Sequence, residues 1–206
     1  MAISVATLET RARTRADMVN SSFVTTTEGE QYVRDAYAEL WEEVANVFQD
    51  WFITMGSSST LTGGTEALSK FNVTADFGWL LHVEQDPGTT QRRYLSEFNR
   101  PNLPSGPIYV PVVGLTPFYR LEGKTIVIEP YESAAGTFRI IYVPTATWDG
   151  IGDANDTMDT RLERWAQYVT IRAAIMYLHK EESSTEGLYG ELAALKERIL
   201  IAKEEA

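Results

Sequence analysis

The sequence predicts an α+β protein: a four-helix bundle built from the N- and C-terminal segments, with an inserted antiparallel β-sheet subdomain. Apolar residues recur every three or four positions near both ends of the chain, which is the helical period. The middle of the chain has short alternating segments between prolines and glycines, as antiparallel strands and turns do. We therefore expect a helical bundle domain at 1–54 and 156–206 and a β-rich insert at 55–155.

The composition limits the classes of function. The 206 residues can bury a proper core, and they carry a net charge of −11 and no cysteine. This acidity argues against a protein that holds nucleic acid on a broad basic face, because phosphate neutralisation needs clustered lysine and arginine. Without cysteine, disulfides and thiolate chemistry are excluded. No apolar stretch reaches the roughly 18 residues of a membrane span, so we expect no membrane contact.

Two helices are predicted in the N-terminal segment. The first covers about residues 7–19, and the second follows a capping-box pattern at Thr27 and Glu30. The apolar face of the second helix is formed by Tyr32, Val33, Ala36, Tyr37, Leu40, Trp41, Val44, Val47, Phe48 and Trp51. Its opposite face is strongly acidic, which is typical of a helix that packs on one side only.

The central region reads as loops and strands. Residues 55–64 are predicted to be a loop, 71–83 a strand, and 86–107 a long excursion with a short strand near Tyr94. The clearest strands lie at 108–113, 117–121, 124–128 and 137–143. Their spacing, and the turn pair Glu122-Gly123, predict an antiparallel meander.

Two further helices are predicted in the C-terminal segment, one from about residue 156 or 157 to 182 and one after Ser183. A narrow apolar stripe on the last helix consists of Leu188, Leu192, Leu195 and Ile199. The stripe either packs on its own domain or docks onto another protein. In the second case Lys196, Arg198 and Lys203 would lie beside the interface.

No motif for catalysis, cofactor binding or metal binding stands out, so we expect neither an enzyme nor a cofactor. The two histidines, His82 and His179, fit structural positions better than a catalytic pair. A calcium-loop start at Asp153 fails, because Met158 occupies the required glycine position. Arg92 and Arg93 read either as a solvated surface pair or as a contact to DNA or to a neighbouring subunit.

Several sequence blocks resemble one known family. The first runs from Arg11 to Thr25 (RARTRADMVNSSFVT) and the second from Tyr32 to Leu40 (YVRDAYAEL). Later blocks lie at 119–123, 126–130 and 141–144 and in the helix that ends at 180–182. In content and order they resemble the head-to-tail adaptor (connector) proteins of tailed bacteriophages. Residues 53–107 match that family least.

The resemblance implies a structural virion protein of the phage neck, assembled in the host cytoplasm. Such adaptors form a homo-oligomeric ring, usually of twelve copies, between the portal protein and a downstream tail or nozzle protein. The ring extends the DNA channel, and genomic DNA passes through its lumen without specific binding. The resemblance implies that the C-terminal segment 183–206 either docks on the portal or forms the bundle seam beside the docking site, through Leu188, Leu192, Leu195, Lys196, Arg198, Ile199 and Lys203.

Three alternatives remain open at this stage. The chain could be another neck or tail-completion protein, which only its binding partner would distinguish. It could be a β-type glycan-binding module that uses Tyr94, Tyr109, Tyr119 and Tyr131. A hydrolase would require carboxylates that converge and have strongly shifted pKa values.

Overall fold

The computed structural model describes residues 2–86, 88, 90, 92–97, 117–148 and 154–204. It is mixed α and β, with four helices and antiparallel sheets, which confirms the predicted fold class at this level. The chain divides into two compact units. A helical unit comprises Met1–Phe52 and Thr145–Ala206, and a β unit comprises Ile53–Pro144.

The part of the helical unit that the structure describes contains four α-helices. They are α1 (Val5–Arg15), α2 (Thr26–Val47), α3 (Ala166–Lys180) and α4 (Glu186–Glu204). Two short 3-10 helices, Gln49–Trp51 and Thr160–Trp165, follow α2 and precede α3. The helix α3 lies against each of the other three, and this explains why it is buried on most sides. Its buried residues are Ala166, Tyr168, Val169, Thr170, Ile171, Ala173, Ala174, Ile175 and Tyr177.

The start of α2 differs from the predicted one. Thr25 is the N-cap residue, with extended backbone, and its hydroxyl accepts a hydrogen bond of 3.3 Å from the Glu28 amide. The capping box predicted at Thr27 and Glu30 is therefore wrong by two residues. Thr25, Thr26 and Thr27 all have the chemistry of a cap, and capping by Thr25 places Glu28 in the first turn, where a negative charge is favoured.

The start of the third helix also differs from the predicted one. The segment Thr160–Trp165 is 3-10, and regular α-helix begins only at Ala166. Asp159 caps this segment by accepting a 2.8 Å hydrogen bond from the Arg161 amide. The Arg161 guanidinium binds the same carboxylate and also donates to the carbonyl of Trp51. These hydrogen bonds from Arg161 hold the pKa of Asp159 below its usual value.

This cap predicts a pH-dependent loss of stability. A carboxylate with a lowered folded pKa stabilises the fold above its unfolded pKa, near 3.9, and loses that contribution as pH falls through the folded value. Asp159→Asn should therefore lower the free energy of unfolding by about 1 kcal/mol at pH 7 and have little effect near pH 2. Urea titrations at the two pH values measure the difference. The control is Asp17→Asn, at an exposed position after α1. It should change the free energy of unfolding by less than about 0.5 kcal/mol at either pH.

The described residues of the β unit form eight strands in two antiparallel sheets. They are β1 (Thr54–Met55), β2 (Ser59–Leu61), β3 (Lys70–Asn72), β4 (Phe77–Gln85), β5 (Arg93–Leu95), β6 (Phe118–Glu122), β7 (Thr125–Glu129) and β8 (Gly136–Pro144). One sheet has the order β1-β8-β4-β5, with β2 also paired to β8, and the other has the order β3-β7-β6. Residues of both sheets, including Val83, Ile126 and Phe138, pack together in one apolar cluster.

The hairpin of β6 and β7 is confirmed, with Gly123 in its turn at a φ of 59°, where glycine is favoured. The predicted meander is wrong, because β8 pairs with β4 in the other sheet rather than continuing from β7. The four consecutive residues Ile140 to Val143 are all buried, so both faces of β8 are covered there. Such a strand suits a central position in a sheet, with other strands on both sides. The predicted 71–83 strand is divided between β3 and β4, and the predicted 55–64 loop contains the end of β1 and all of β2. The strand predicted at 108–113 lies outside the described residues.

Candidate assembly surfaces

The apolar stripe of α4 faces the chain's own helices. Leu192, Leu195 and Ile199 are all less than one tenth exposed, and Leu188 is half-buried. The helix lies against α2 and α3, which supply the apolar surface that the stripe requires. Two roles were expected for the stripe, and in this conformation it packs on its own unit. Docking through the same side chains would require α4 to leave the unit.

The charged residues beside the stripe differ in their pairing. Lys196 forms an ion pair with Glu43 of α2 and lies 5.9 Å from the ring centroid of Tyr168. The hydrogen bond with Glu43 raises the pKa of Lys196. Arg198 and Lys203 are exposed and form no ion pair within the part of the chain that the structure describes. Among the described residues, the C-terminal part of α4 therefore offers two positive charges that have no ion-pair partner.

Two residues that the sequence analysis missed lie between these charges. Leu200 is 60% exposed and Ile201 is 46% exposed, although they are the next two residues after the buried Ile199. A sequence signal existed, because consecutive residues are about 100° apart on a helix and cannot all belong to one narrow stripe. The end of α4 thus combines an exposed apolar pair with Arg198 and Lys203.

Arg93 is the first residue of β5 in the β unit, and Arg92 directly precedes it. The Arg92 Nε lies 3.7 Å from Glu84 Oε1, and the Arg92 side chain is 55% exposed. The Glu84 carboxylate is buried, and its closer ion-pair partner is Arg139, whose Nη2 lies 2.6 Å from Glu84 Oε2. Arg93 is exposed. The two arginines therefore differ, since only Arg92 lies beside a buried carboxylate.

The block from Arg11 to Thr25 forms the end of α1 and the connector to α2. Arg13 pairs with Glu9 and donates hydrogen bonds to the carbonyls of Ser21, at 3.2 Å, and Val24, at 2.9 Å. Met18 within the connector is buried. These contacts fix the path of the chain between α1 and α2. The residues of this block therefore act structurally here, and not chemically.

The block from Tyr32 to Leu40 is structural as well. The Tyr37 hydroxyl donates to the carbonyl of Thr147, at 3.3 Å, and accepts from the Asp159 amide, at 3.2 Å. Burial raises the pKa of Tyr37 to about 12, so the hydroxyl stays protonated in the physiological range. Glu39 forms two 2.7 Å hydrogen bonds with Arg172 of α3. The block joins α2 to α3 and to the segment that leads into it.

The buried carboxylates of the described residues each have a cationic partner. Glu9 pairs with Arg13, Glu84 with Arg139, and Asp156 with Arg34 at 2.9 Å. The described part of the chain contains no group of three or more histidine, aspartate or glutamate side chains placed to hold a metal ion. Its helices are also too short or too polar to cross a bilayer.

The tyrosines considered for glycan binding do not form one exposed cluster in the described residues. Tyr94 on β5 is 63% exposed, whereas Tyr119 on β6 is buried and belongs to the other sheet. Tyr131 is half-buried, and Tyr109 lies outside the described residues. An aromatic platform for a sugar requires several exposed rings together, which these three do not supply.

No protein-family model matches the chain, and no curated protein matches its sequence. The function is therefore inferred from the geometry of the described residues together with the resemblance of the sequence blocks.

Proposed function

We propose that the chain is a head-to-tail adaptor of a tailed bacteriophage, a structural virion protein of the neck and not an enzyme. Copies of it form a ring, of twelve as in the family it resembles, between the portal protein and the next tail or nozzle protein. The ring assembles in the host cytoplasm and extends the DNA channel. It needs no cofactor, because its work is to hold two larger assemblies in line.

The end of α4 is the observation that carries the proposal. Leu200 and Ile201 expose apolar surface beside Arg198 and Lys203, which form no ion pair in the part of the chain that the structure describes. Adjacent exposed apolar side chains gain from being covered, so they offer a place where a protein partner can bind. In this proposal these four residues contact the portal. The buried stripe of Leu192, Leu195 and Ile199 holds α4 in place.

The helices are proposed to form a four-helix bundle that serves as the rigid base of this surface. Support comes from α3, which lies against α1, α2 and α4, and from the ion pairs that fasten the outer helices. Arg172 joins α3 to Glu39 of α2, and Lys196 joins α4 to Glu43 of α2. A rigid base keeps the exposed end of α4 in one orientation, which lowers the entropy cost of docking.

The net charge suits a channel wall. A chain with a net charge of −11 repels phosphate on average, so DNA would pass a wall built from it without being held. Since specific DNA binding needs clustered cations, this proposal gives Arg92 and Arg93 no role in reading DNA.

Leu200→Glu tests the α4 surface. It should weaken binding to the portal protein of the same genome by about tenfold to a hundredfold, because it exchanges a buried leucine for a charge in the complex. Biolayer interferometry on immobilised portal measures the dissociation constant. Stability should be unchanged, since Leu200 is exposed in the free chain.

The matched control is Ala193→Glu, which adds the same charge at an exposed position two turns earlier on α4. It should change portal binding by less than about threefold. Equal weakening by both variants would mean that added charge alone reduces binding. If the wild-type chain binds a tail component but not the portal, it is another neck or tail-completion protein.

A further inference from the structure

The outer face of α1 is positive although the chain as a whole is acidic. Arg11 and Arg15 are exposed there, while the only acid of α1, Glu9, is buried. The two arginines line a groove of about 640 Å³ together with Thr10, Thr14, Gln167 and Thr170. Arg15 pairs with Glu191 of α4, and Arg11 forms no ion pair within the described residues. We name this surface the α1 groove.

The outer face of α2 is negative. Gln31, Asp35, Glu42 and Asn46 recur at helical spacing and are all exposed. The neighbouring acids Glu39 and Glu43 are neutralised by cations of α3 and α4. Glu42 has no such ion pair among the described residues, and Asp35 only accepts a 2.8 Å hydrogen bond from Gln31. We name this surface the α2 stripe.

The α1 groove and the α2 stripe are separate surfaces, since they lie on different helices and share no residue. The two helices approach at Gly29, where an added Cβ would lie 2.7 Å from Glu9 Oε1. Arg11 follows Glu9 by two residues, which places it about 160° around α1 from that contact. Glu42 follows Gly29 by thirteen residues, which places it about 140° around α2. Each charge therefore lies on the face of its own helix that points away from this contact.

We propose that the α1 groove of one copy receives the α2 stripe of a second copy, with Arg11 opposite Glu42. Two different surfaces of one molecule make a head-to-tail contact, which closes into a ring when the rotation between copies allows it. Charge complementarity selects the second copy as occupant, because the groove offers an unpaired cation and the stripe an unpaired anion. This inference rests on the proposed function, in which copies form a ring, and names the surfaces that join them.

Cross-linking without the portal tests this contact separately from portal binding. The chain contains no cysteine, so Thr14→Cys with Asn46→Cys places one thiol beside each surface without altering Arg11 or Glu42. A bis-maleimide reagent about 10 Å long, which is roughly the length of three extended residues, then links thiols that come together in transient contacts. The reaction is run at high protein concentration and at low salt, because salt screens the attraction between the charges. The expected product is a ladder of dimers, trimers and higher multimers on a denaturing gel.

Charge reversal provides the decisive comparison. In that cysteine background, Arg11→Glu alone and Glu42→Arg alone should each reduce the ladder by about tenfold, and the two together should restore it. Thr14→Cys with Lys124→Cys, which moves one thiol to an exposed turn of the β unit, is the control for random collision. A ladder no stronger than this control, or no restoration by the double reversal, would overturn the proposal. Loss of portal binding with an intact ladder would overturn only the adaptor function.

Discussion

Replacing Gly29 with alanine is expected to lower the free energy of unfolding by about 2–4 kcal/mol. The new Cβ would fall well inside contact distance of the Tyr177 hydroxyl and 2.7 Å from Glu9 Oε1. Tyr177 donates a 2.9 Å hydrogen bond to Glu9 in this buried site, so relief of the clash would break that bond. Urea denaturation followed by circular dichroism measures the loss.

Two further variants separate this clash from the general effect of glycine in a helix. Gly190→Ala, in α4, meets no atom within 4 Å and should raise stability by about 0.5–1 kcal/mol, because alanine is the better helix former. Tyr177→Phe removes the oxygen that the Cβ meets, so Gly29→Ala should cost less in that background. A Gly29→Ala chain as stable as Gly190→Ala would mean that the close approach of α1, α2 and α3 is wrong.

Replacing Arg139 with methionine is expected to lower the free energy of unfolding by about 3 kcal/mol. The Glu84 carboxylate is 1% exposed, and Arg139 donates to it at 2.8 Å and 2.6 Å. Removing the arginine leaves a buried charge without its principal partner, and this costs more than the pair itself contributes. Thermal and urea unfolding of the variant measure the effect.

Arg92→Met is the matched control, because Arg92 approaches the same carboxylate only at 3.7 Å and from an exposed position. It should cost less than about 1 kcal/mol. The double variant Glu84→Leu with Arg139→Met should recover most of the lost stability, since it removes the charge together with its partner. Equal losses from the two single arginine variants would show that Glu84 is not held mainly by Arg139.

The elements that the sequence predicted well are those specified by local patterns. The apolar spacing of α2 and the turn at Gly123 each lie within a short segment, and both appear in the structure. The pairing of β8 with β4 could not be read in this way, because it joins residues roughly sixty positions apart along the chain. The 3-10 start of the third helix was missed because Asp159 and Arg161 form a local cap that apolar spacing does not register.

The surfaces were harder to predict than the fold. Apolar spacing marked the stripe of α4, but only the structure shows that α2 and α3 cover it and that Leu200 and Ile201 remain outside. The same holds for charge. The chain has 29 acids, and the sequence alone does not reveal that Glu39 and Glu43 are neutralised while Glu42 is not. Pairing depends on contacts between helices that are distant along the chain.

Electron microscopy of the chain mixed with the portal protein of the same genome tests the adaptor proposal most directly, with each protein imaged alone as the control. The account predicts a closed ring of the chain stacked coaxially on the portal, with the end of α4 at the contact. Intact portals that stay bare at micromolar concentrations of folded chain would contradict it.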